Sequence, residues 1–106
     1  MNVSIDGHTL TIAGITELDA ATASAFRDAI IDALDHSVKD VEVDLSQAVF
    51  LDGVGLGALV ALRKTLNPHG VTVRLLNPAP QAVQIIELAR LHRLFEIVNR
   101  GEVVVA

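Results

Sequence analysis

The sequence predicts an α/β fold, with a mixed sheet of four or five strands and three main helices in one domain spanning residues 1–106. Short apolar runs of strand length are separated by segments whose apolar residues recur at helical spacing. The two kinds of segment alternate along the chain, which is typical of α/β proteins. Of the 106 residues, 51% are hydrophobic and 20% are charged. A chain of this length and composition can form one hydrophobic core and is too short for two.

Two strands open the chain, at about 2–6 and 8–14, because an Asp-Gly pair between alternating runs is a strong hairpin signal. A helix is expected next and is expected to reach about Leu34. Either Asp19 or Thr16 can cap it, since their side-chain oxygens accept hydrogen bonds from the free N–H groups of a first turn.

The middle of the chain predicts a strand at about 41–45 and a short apolar run at 49–51. Three alternating glycines follow, in Asp52-Gly53-Val54-Gly55-Leu56-Gly57, which we call the glycine segment. A second helix is expected after the glycine segment. It should end near Leu66, where basic residues suit the negative end of the helix dipole.

The last part of the chain predicts a strand at about 71–76 and a third helix that runs to about residue 89–91. Asn77 is expected to cap this helix, with Pro78 at its first position, where the missing N–H has no cost. Two further strands are expected, at 95–98 and 103–105.

Composition excludes several classes of function. The chain carries a net charge of −5 with no basic cluster, so we expect no nucleic-acid binding. It has no Cys, which removes disulfides, thiolate metal sites and Cys nucleophiles. It also lacks the apolar run of about 20 residues that a spanning helix needs and has no secretory signal pattern. We therefore expect a cytoplasmic protein with no membrane insertion.

The second predicted helix is apolar almost all around. A helix of this kind is either buried on every side or exposes an adhesive face, and complete burial is difficult in so small a domain. We expect at least one exposed apolar face that meets a partner. The alternative is an ordinary central helix covered by its neighbours. The apolar positions are Leu56, Ala58, Leu59, Val60, Ala61, Leu62 and Leu66.

The glycine segment raises three other chemistries. Gly53-x-Gly55-x-x-Ala58 matches a relaxed dinucleotide fingerprint, but the acidic residue expected about 20 positions later is absent. A P-loop is excluded because no Gly-Lys-Ser/Thr follows. Phosphorylation of Asp52, as in receiver domains, is disfavoured because the sequence has no acidic pair after its first strand. A small nucleotide-binding or phosphotransfer protein remains the alternative from another class.

No catalytic or metal site is predicted. The four histidines lack metal-binding spacing. Asp19 and Asp52 would suit general acid–base chemistry if the fold brought them together, but no substrate-positioning Arg accompanies them. Helix capping is their favoured role, followed by partner recognition. We therefore expect a protein that is not an enzyme and uses no cofactor and no metal.

Several motifs occur in order along residues 2–98. The most specific motif is Asp44-Leu45-Ser46 followed by Phe50-Leu51-Asp52-x-x-Gly55-Leu56-Gly57. A second motif precedes it, Thr16-x-Leu18-Asp19-Ala20-Ala21-Thr22-Ala23. Three more follow it: Asn77-Pro78-x-Pro80, Glu87-Leu88 and Leu91-x-x-Leu94-Phe95-Glu96-Ile97. Together they resemble the STAS domains of bacterial anti-sigma factor antagonists and sulfate transporters. The resemblance implies a regulatory binding module that docks on an anti-sigma factor that is also a Ser/Thr kinase. In that family, phosphorylation of a loop Ser or Thr abolishes docking.

Two positions depart from the family pattern. The residue before Gly-Leu-Gly is normally the phosphorylated Ser or Thr, and here it is Val54. No hydroxyl residue lies between Ser46 and Thr65 that could replace it. We expect the stiff Val54 side chain to fill a small apolar niche. Arg90 stands where the family often has Gly, so the third helix continues past it or Arg90 adopts a left-handed conformation at a cost of ~1–2 kcal/mol.

The sequence therefore predicts a module resembling an anti-sigma factor antagonist, which docks its partner through residues 52–57 and the second helix without the usual phosphorylation switch. A non-phosphorylatable adaptor subunit of a lipid-transport or stress-sensing complex is the alternative of the same class, and a homodimer is another way to cover the apolar face. The predicted partner-binding residues are Asp19, Asp52, Gly53, Val54, Gly55, Leu56, Gly57, Leu59 and Val60.

Overall fold

The computed structural model describes residues 1–100, and the strand expected at 103–105 lies outside them. The strands are β1 (Asn2–Asp6), β2 (Thr9–Ala13), β3 (Glu17–Leu18), β4 (Asp40–Asp44), β5 (Phe50–Leu51), β6 (Thr72–Leu76) and β7 (Glu96–Val98). The helices are α1 (Ala23–Ala33), α2 (Gly53–Leu66) and α3 (Pro80–Leu88). Five strands form a mixed sheet in the order β1-β2-β4-β6-β7, and β3 pairs with β5 separately. The predicted α/β class, with three helices and a mixed sheet, is confirmed.

The sheet buries one face under the helices. β1 and β2 form the predicted antiparallel hairpin, whose turn contains Gly7 at φ +61°. The other neighbouring strands of the sheet run parallel. Alternate strand residues and one stripe of each helix meet in a single apolar core, since successive strand side chains point to opposite faces. Fully buried members include Leu10, Ile12, Val41, Val43, Phe26, Ile30, Leu59, Leu75 and Ile86.

An ion-pair network occupies the opposite face of the sheet. Glu42, on the central strand β4, is only 2% exposed. The guanidinium of Arg100 donates to both of its carboxylate oxygens, at 2.8 and 2.7 Å. Arg74 of β6 lies 3.4 Å from the same carboxylate and 2.9 Å from Asp40. The hydrogen bond from Arg100, more than any other interaction, lowers the pKa of Glu42 below its usual value.

The first helix begins later than the sequence suggested, at Ala23. Glu17 and Leu18 are extended because they pair with β5, and a turn at residues 19–22 then leads into the helix. Thr16 is not a cap: its carbonyl accepts from the backbone N–H of Val49 at 2.9 Å. Asp19 does cap, but it caps the turn before the helix.

The third helix also begins later, at Pro80, and Asn77 does not cap it. Ala79 precedes a proline and is therefore held extended, with ψ 154°. Asn77 adopts a left-handed conformation at φ 48°, and its side chain binds the backbone of Arg100. Arg90 is left-handed at φ 59° and follows the end of the helix, so of the two alternatives the strained one occurs.

Candidate protein-docking site

The two short strands place Asp19 and Asp52 at the same end of the β3–β5 pair. β3 and β5 run parallel, with Glu17 opposite Phe50 and Leu18 opposite Leu51. The backbone N–H of Asp52 donates to the carbonyl of Leu18 at 3.4 Å, directly after the paired residues. Neighbouring strands lie about 4.8 Å apart. Asp19 and Asp52 therefore both directly follow this pair of strands, at the end where α2 starts.

The glycine segment is helical and not a loop. α2 begins at Gly53, and Asp52 is its N-cap residue with extended backbone. The Asp52 carboxylate oxygen Oδ1 accepts from the N–H of Gly55 at 2.9 Å. This bond satisfies one of the free N–H groups at the helix start. The cap explains how a segment rich in glycine, a poor helix former, starts a helix.

The three glycines of this segment have different roles. A Cβ atom added at Gly55 would lie 1.9 Å from the carbonyl oxygen of Leu18, so only glycine allows α2 to approach β3 this closely. A Cβ atom at Gly53 or Gly57 would meet nothing within 4 Å among the described residues. Both of these residues are exposed. Bare backbone is therefore accessible at one position on each side of the buried Gly55.

Asp19 is held by a compact set of hydrogen bonds before α1. Its Oδ1 accepts from the backbone N–H groups of Ala21 and Thr22, at 2.9 and 3.2 Å. In return, the backbone N–H of Asp19 donates to the hydroxyl of Thr22 at 3.0 Å. Asp19 and Asp52 thus each use one carboxylate oxygen to fix local backbone. Both residues are half-buried.

The predicted partner-binding residues divide into three groups by burial. Gly53, Val54 and Gly57 are exposed, whereas Asp19, Asp52, Leu56 and Val60 are half-buried, and Gly55 and Leu59 are buried. Leu59 is 0% exposed and belongs to the core, so it supports α2 from inside and offers no surface to a partner. Val54 is 52% exposed, so the expectation that it fills an apolar niche is wrong. The exposed apolar face expected beside the glycines is present.

Two exposed apolar residues next to the glycine segment escaped the sequence analysis. Val49 is 66% exposed and Phe50 is 51% exposed, whereas the following Leu51 is 5% exposed. With Val54 they form what we call the apolar patch (Val49, Phe50, Val54). The sequence does contain a pattern that indicates this exposure: successive residues of a strand point to opposite faces, so three apolar residues in a row in a strand with one buried face expose at least one of them. The run was too short to show which face was buried.

The described residues contain no group of three or more His, Asp or Glu side chains that could hold a metal ion. Across residues 1–100, no helix is both long and apolar enough to cross a membrane. The site is therefore built from apolar side chains, exposed backbone and two partly engaged carboxylates.

Comparison with known proteins identifies the family. A family model of the STAS domain matches residues 1–102. A STAS-domain containing protein of Pseudomonas aeruginosa is 31% identical over 94 residues, which are 89% of this chain and 92% of that protein.

Solved structures agree in fold. A Thermotoga maritima protein assigned as an anti-sigma factor antagonist has a TM-score of 0.82 at 20% identity, over 92% of this chain and 84% of that chain. The anti-sigma factor antagonist SpoIIAA in its unphosphorylated form has a TM-score of 0.79 at 20% identity, over 95% of this chain and 88% of that chain. A murine Solute Carrier 26 anion transporter has a TM-score of 0.66 at 24% identity, over 80% of this chain and 14% of that chain. The matched model and the Pseudomonas relative show that this chain belongs to the STAS domain family.

Proposed function

We propose that this chain is a regulatory protein-binding module that acts like an anti-sigma factor antagonist in a bacterial cytoplasm, and that it docks its partner without a phosphorylation switch. The observation that carries the proposal is the exposed Val54 in the first turn of α2. It is 52% exposed, at the position where the family usually has a phosphorylated hydroxyl. A surface side chain at that position contacts a docking partner, and a valine there accepts no phosphate.

The chemistry of the surface indicates what the partner must offer. The apolar patch favours apolar side chains, whose burial contributes about 25 cal/mol per Å². The exposed backbone at Gly53 and Gly57 admits a closely packed partner surface. The half-buried carboxylates of Asp19 and Asp52 favour a basic group on the partner, because complementary charges fix the register of an interface. The partner we expect is an anti-sigma factor that is also a Ser/Thr kinase.

A binding role is better supported than catalysis at the acidic pair. Each of the two carboxylates uses its Oδ1 to hold backbone N–H groups of the turn or helix that follows. A general acid or base needs its carboxylate free to reach the reacting proton. No arginine or lysine donates to either carboxylate among the described residues. We infer that the pair shapes the surface and contributes charge to it.

The proposal is tested by measuring the affinity of purified anti-sigma factor kinases from the same genome for three forms of the chain. The forms are wild type, Val54→Asp and Thr65→Asp, the last being a charge control at the far end of α2. We expect Val54→Asp to weaken binding by about 1–3 kcal/mol, since its carboxylate must be desolvated in the interface. Thr65→Asp should bind like wild type. Equal affinity of all three forms would show that the partner binds elsewhere.

A further inference from the structure

β1 is an edge strand whose outer side pairs with nothing among residues 1–100. The sheet order places it at one end, beside β2 only. An edge strand presents a row of N–H and C=O groups that can bind another strand. The opposite edge is better protected, because β7 has three residues and one of them is the charged Glu96. β1 has five residues in unbroken register with β2, and its one charged residue is Asp6, at its end.

The hairpin determines which backbone groups of β1 face outward. Residues 7 and 8 form a two-residue turn, so the flanking pair of residues 6 and 9 is hydrogen-bonded. Hydrogen-bonded and non-hydrogen-bonded pairs alternate along an antiparallel ladder, so residues 2, 4 and 6 bond to β2. The N–H and C=O groups of Val3 and Ile5 therefore point away from β2, and in the described part of the chain they have no backbone partner.

The same two residues carry apolar side chains along the free edge. Val3 and Ile5 stand opposite Ile12 and Leu10, which are fully buried, so they lie on the face of the sheet that the helices cover. This cover is incomplete at the edge, since Ile5 is 42% exposed and Val3 is half-buried. A strand added beside β1 therefore gains both main-chain hydrogen bonds and apolar contacts, which together drive strand addition.

We propose that β1 pairs with β1 of a second copy of this chain, antiparallel and about a two-fold axis at Ser4. Shifting the axis to a neighbouring residue leaves one end of β1 without a partner. The register at Ser4 places Val3 opposite Ile5 of the other copy, so that their outward N–H and C=O groups bond to one another. It also places Asn2 opposite Asp6, an amide beside a carboxylate, and no two like charges face each other.

The sequence of β1 favours a second copy over any other extended segment. About its central residue, Asn-Val-Ser-Ile-Asp matches apolar with apolar and polar with polar at every position. Such a self-complementary contact closes as a dimer. Strands of five residues are about 17 Å long, so the contact is small and we expect a weak dimer that forms at about 0.1–1 mM. This surface shares no residue with the proposed docking surface and does not depend on the proposed function.

Cysteine crosslinking tests the register directly, because the chain has no Cys of its own. In the proposed dimer the two Ser4 residues form a non-hydrogen-bonded pair with Cα atoms about 4.5 Å apart, within the range that a disulfide spans. Ser4→Cys should therefore crosslink under mild oxidation. Asn2→Cys is the matched control, exposed on the same strand and face. Its two copies would lie about 14 Å apart, so it should crosslink at least about tenfold more slowly.

Two lysine variants test the unmodified association by sedimentation equilibrium at about 0.1–1 mM. Ser4→Lys places two ammonium groups opposite each other at the axis and should abolish the dimer. Thr72→Lys adds the same charge on the same sheet face, at the exposed start of β6, and should associate as wild type does.

Four results would overturn the proposal. They are equal crosslinking rates for the two cysteine variants, unchanged association of Ser4→Lys, and a wild type that stays monomeric up to about 1 mM. The fourth is a Val54→Cys variant that crosslinks faster than Ser4→Cys, because the copies would then meet through the docking surface. Loss of partner binding in Val54→Asp bears on the proposed function alone, so the two proposals can fail separately.

Discussion

Gly55 and Gly57 stand two residues apart in the same helix, yet their surroundings differ. Gly55 allows α2 to approach β3, since a Cβ atom there would lie 1.9 Å from the Leu18 carbonyl oxygen. Gly57 faces open space, so nothing in the described chain explains the absence of a side chain. Under the proposed function, a partner that packs against bare backbone would account for it.

This difference predicts opposite effects of one substitution. Gly55→Ala should destabilise the fold by about 3 kcal/mol, since the backbone atom it meets cannot move aside. Gly57→Ala should stabilise it by about 0.5–1 kcal/mol through better helix propensity, and should weaken docking. Urea unfolding followed by circular dichroism measures the stability of both variants, and partner titration measures the docking of Gly57→Ala. If Gly57→Ala bound the partner at full strength, close packing at this position would be excluded.

Arg90 carries backbone strain at the end of α3. Its φ of 59° lies in the left-handed region, which costs a residue other than glycine ~1–2 kcal/mol. Arg90→Gly should raise the free energy of unfolding by about 0.5–1 kcal/mol, after the entropic cost of glycine is subtracted. Arg93→Gly, whose backbone is not left-handed, is the matched control and should give no gain. A loss of stability in Arg90→Gly would mean that its side chain matters more than its backbone.

At the scale of elements, β5 separates the core from the docking surface within two residues. Phe50 is 51% exposed and Leu51 is 5% exposed. Phe50→Ala should therefore weaken partner binding at little cost in stability, because exposed aromatic residues contribute strongly to interfaces. Leu51→Ala should cost about 2–5 kcal/mol in stability, as a core truncation does. Unfolding and binding curves for the two variants check this, and a large stability loss in Phe50→Ala would contradict it.

The sequence predicted most elements, because their signals are local. The hairpin follows from Asp-Gly between alternating runs, and the class follows from the alternation of strand and helix patterns. The wrong helix starts have two causes: pairing between segments that are distant in the sequence, and local backbone preferences that compete with one another. β3 is two residues long and exists only through its pairing with β5. The start of α3 was misplaced because Ala79 precedes a second proline, which outweighs the capping ability of Asn77.

The candidate site was only partly predictable for the same reason. The position of Asp19 and Asp52 at the same end of the β3–β5 pair depends on two segments about 30 residues apart lying side by side, which no local sequence pattern encodes. The burial of Leu59 and the exposure of Val54 depend on how α2 is rotated about its axis. A helix that is apolar all around does not encode that rotation in its own pattern.

On the scale of the whole molecule, the Glu42 network joins the central strand to Arg100, which lies two residues beyond the end of β7. The pKa of Glu42 is lowered, chiefly by the hydrogen bond from Arg100. A carboxyl group with a lowered pKa adds stability that is present above its unfolded pKa and is lost as the pH falls through its folded pKa.

Glu42→Gln should therefore destabilise the fold by about 1–3 kcal/mol near neutral pH, because two guanidinium groups lose a charged acceptor. The difference from wild type should shrink as the pH falls below about 4.5, since the unfolded chain then binds a proton at Glu42 that the folded state takes up only at lower pH. Urea unfolding of both proteins from pH 7 to about pH 3 measures this. A difference that stayed constant over the range would show that the charge of Glu42 contributes nothing.

The central claim is that this STAS domain docks its partner without a phosphorylation switch. The most direct measurement incubates wild type and Val54→Ser with a cognate anti-sigma factor kinase and ATP, and follows intact mass and complex formation together. We predict that wild type gains no phosphoryl group and stays bound, whereas Val54→Ser gains one at the helix start, where the dipole favours it, and dissociates. A phosphoryl group on wild-type residues 52–57, or ATP-dependent release of the wild type, would contradict the account.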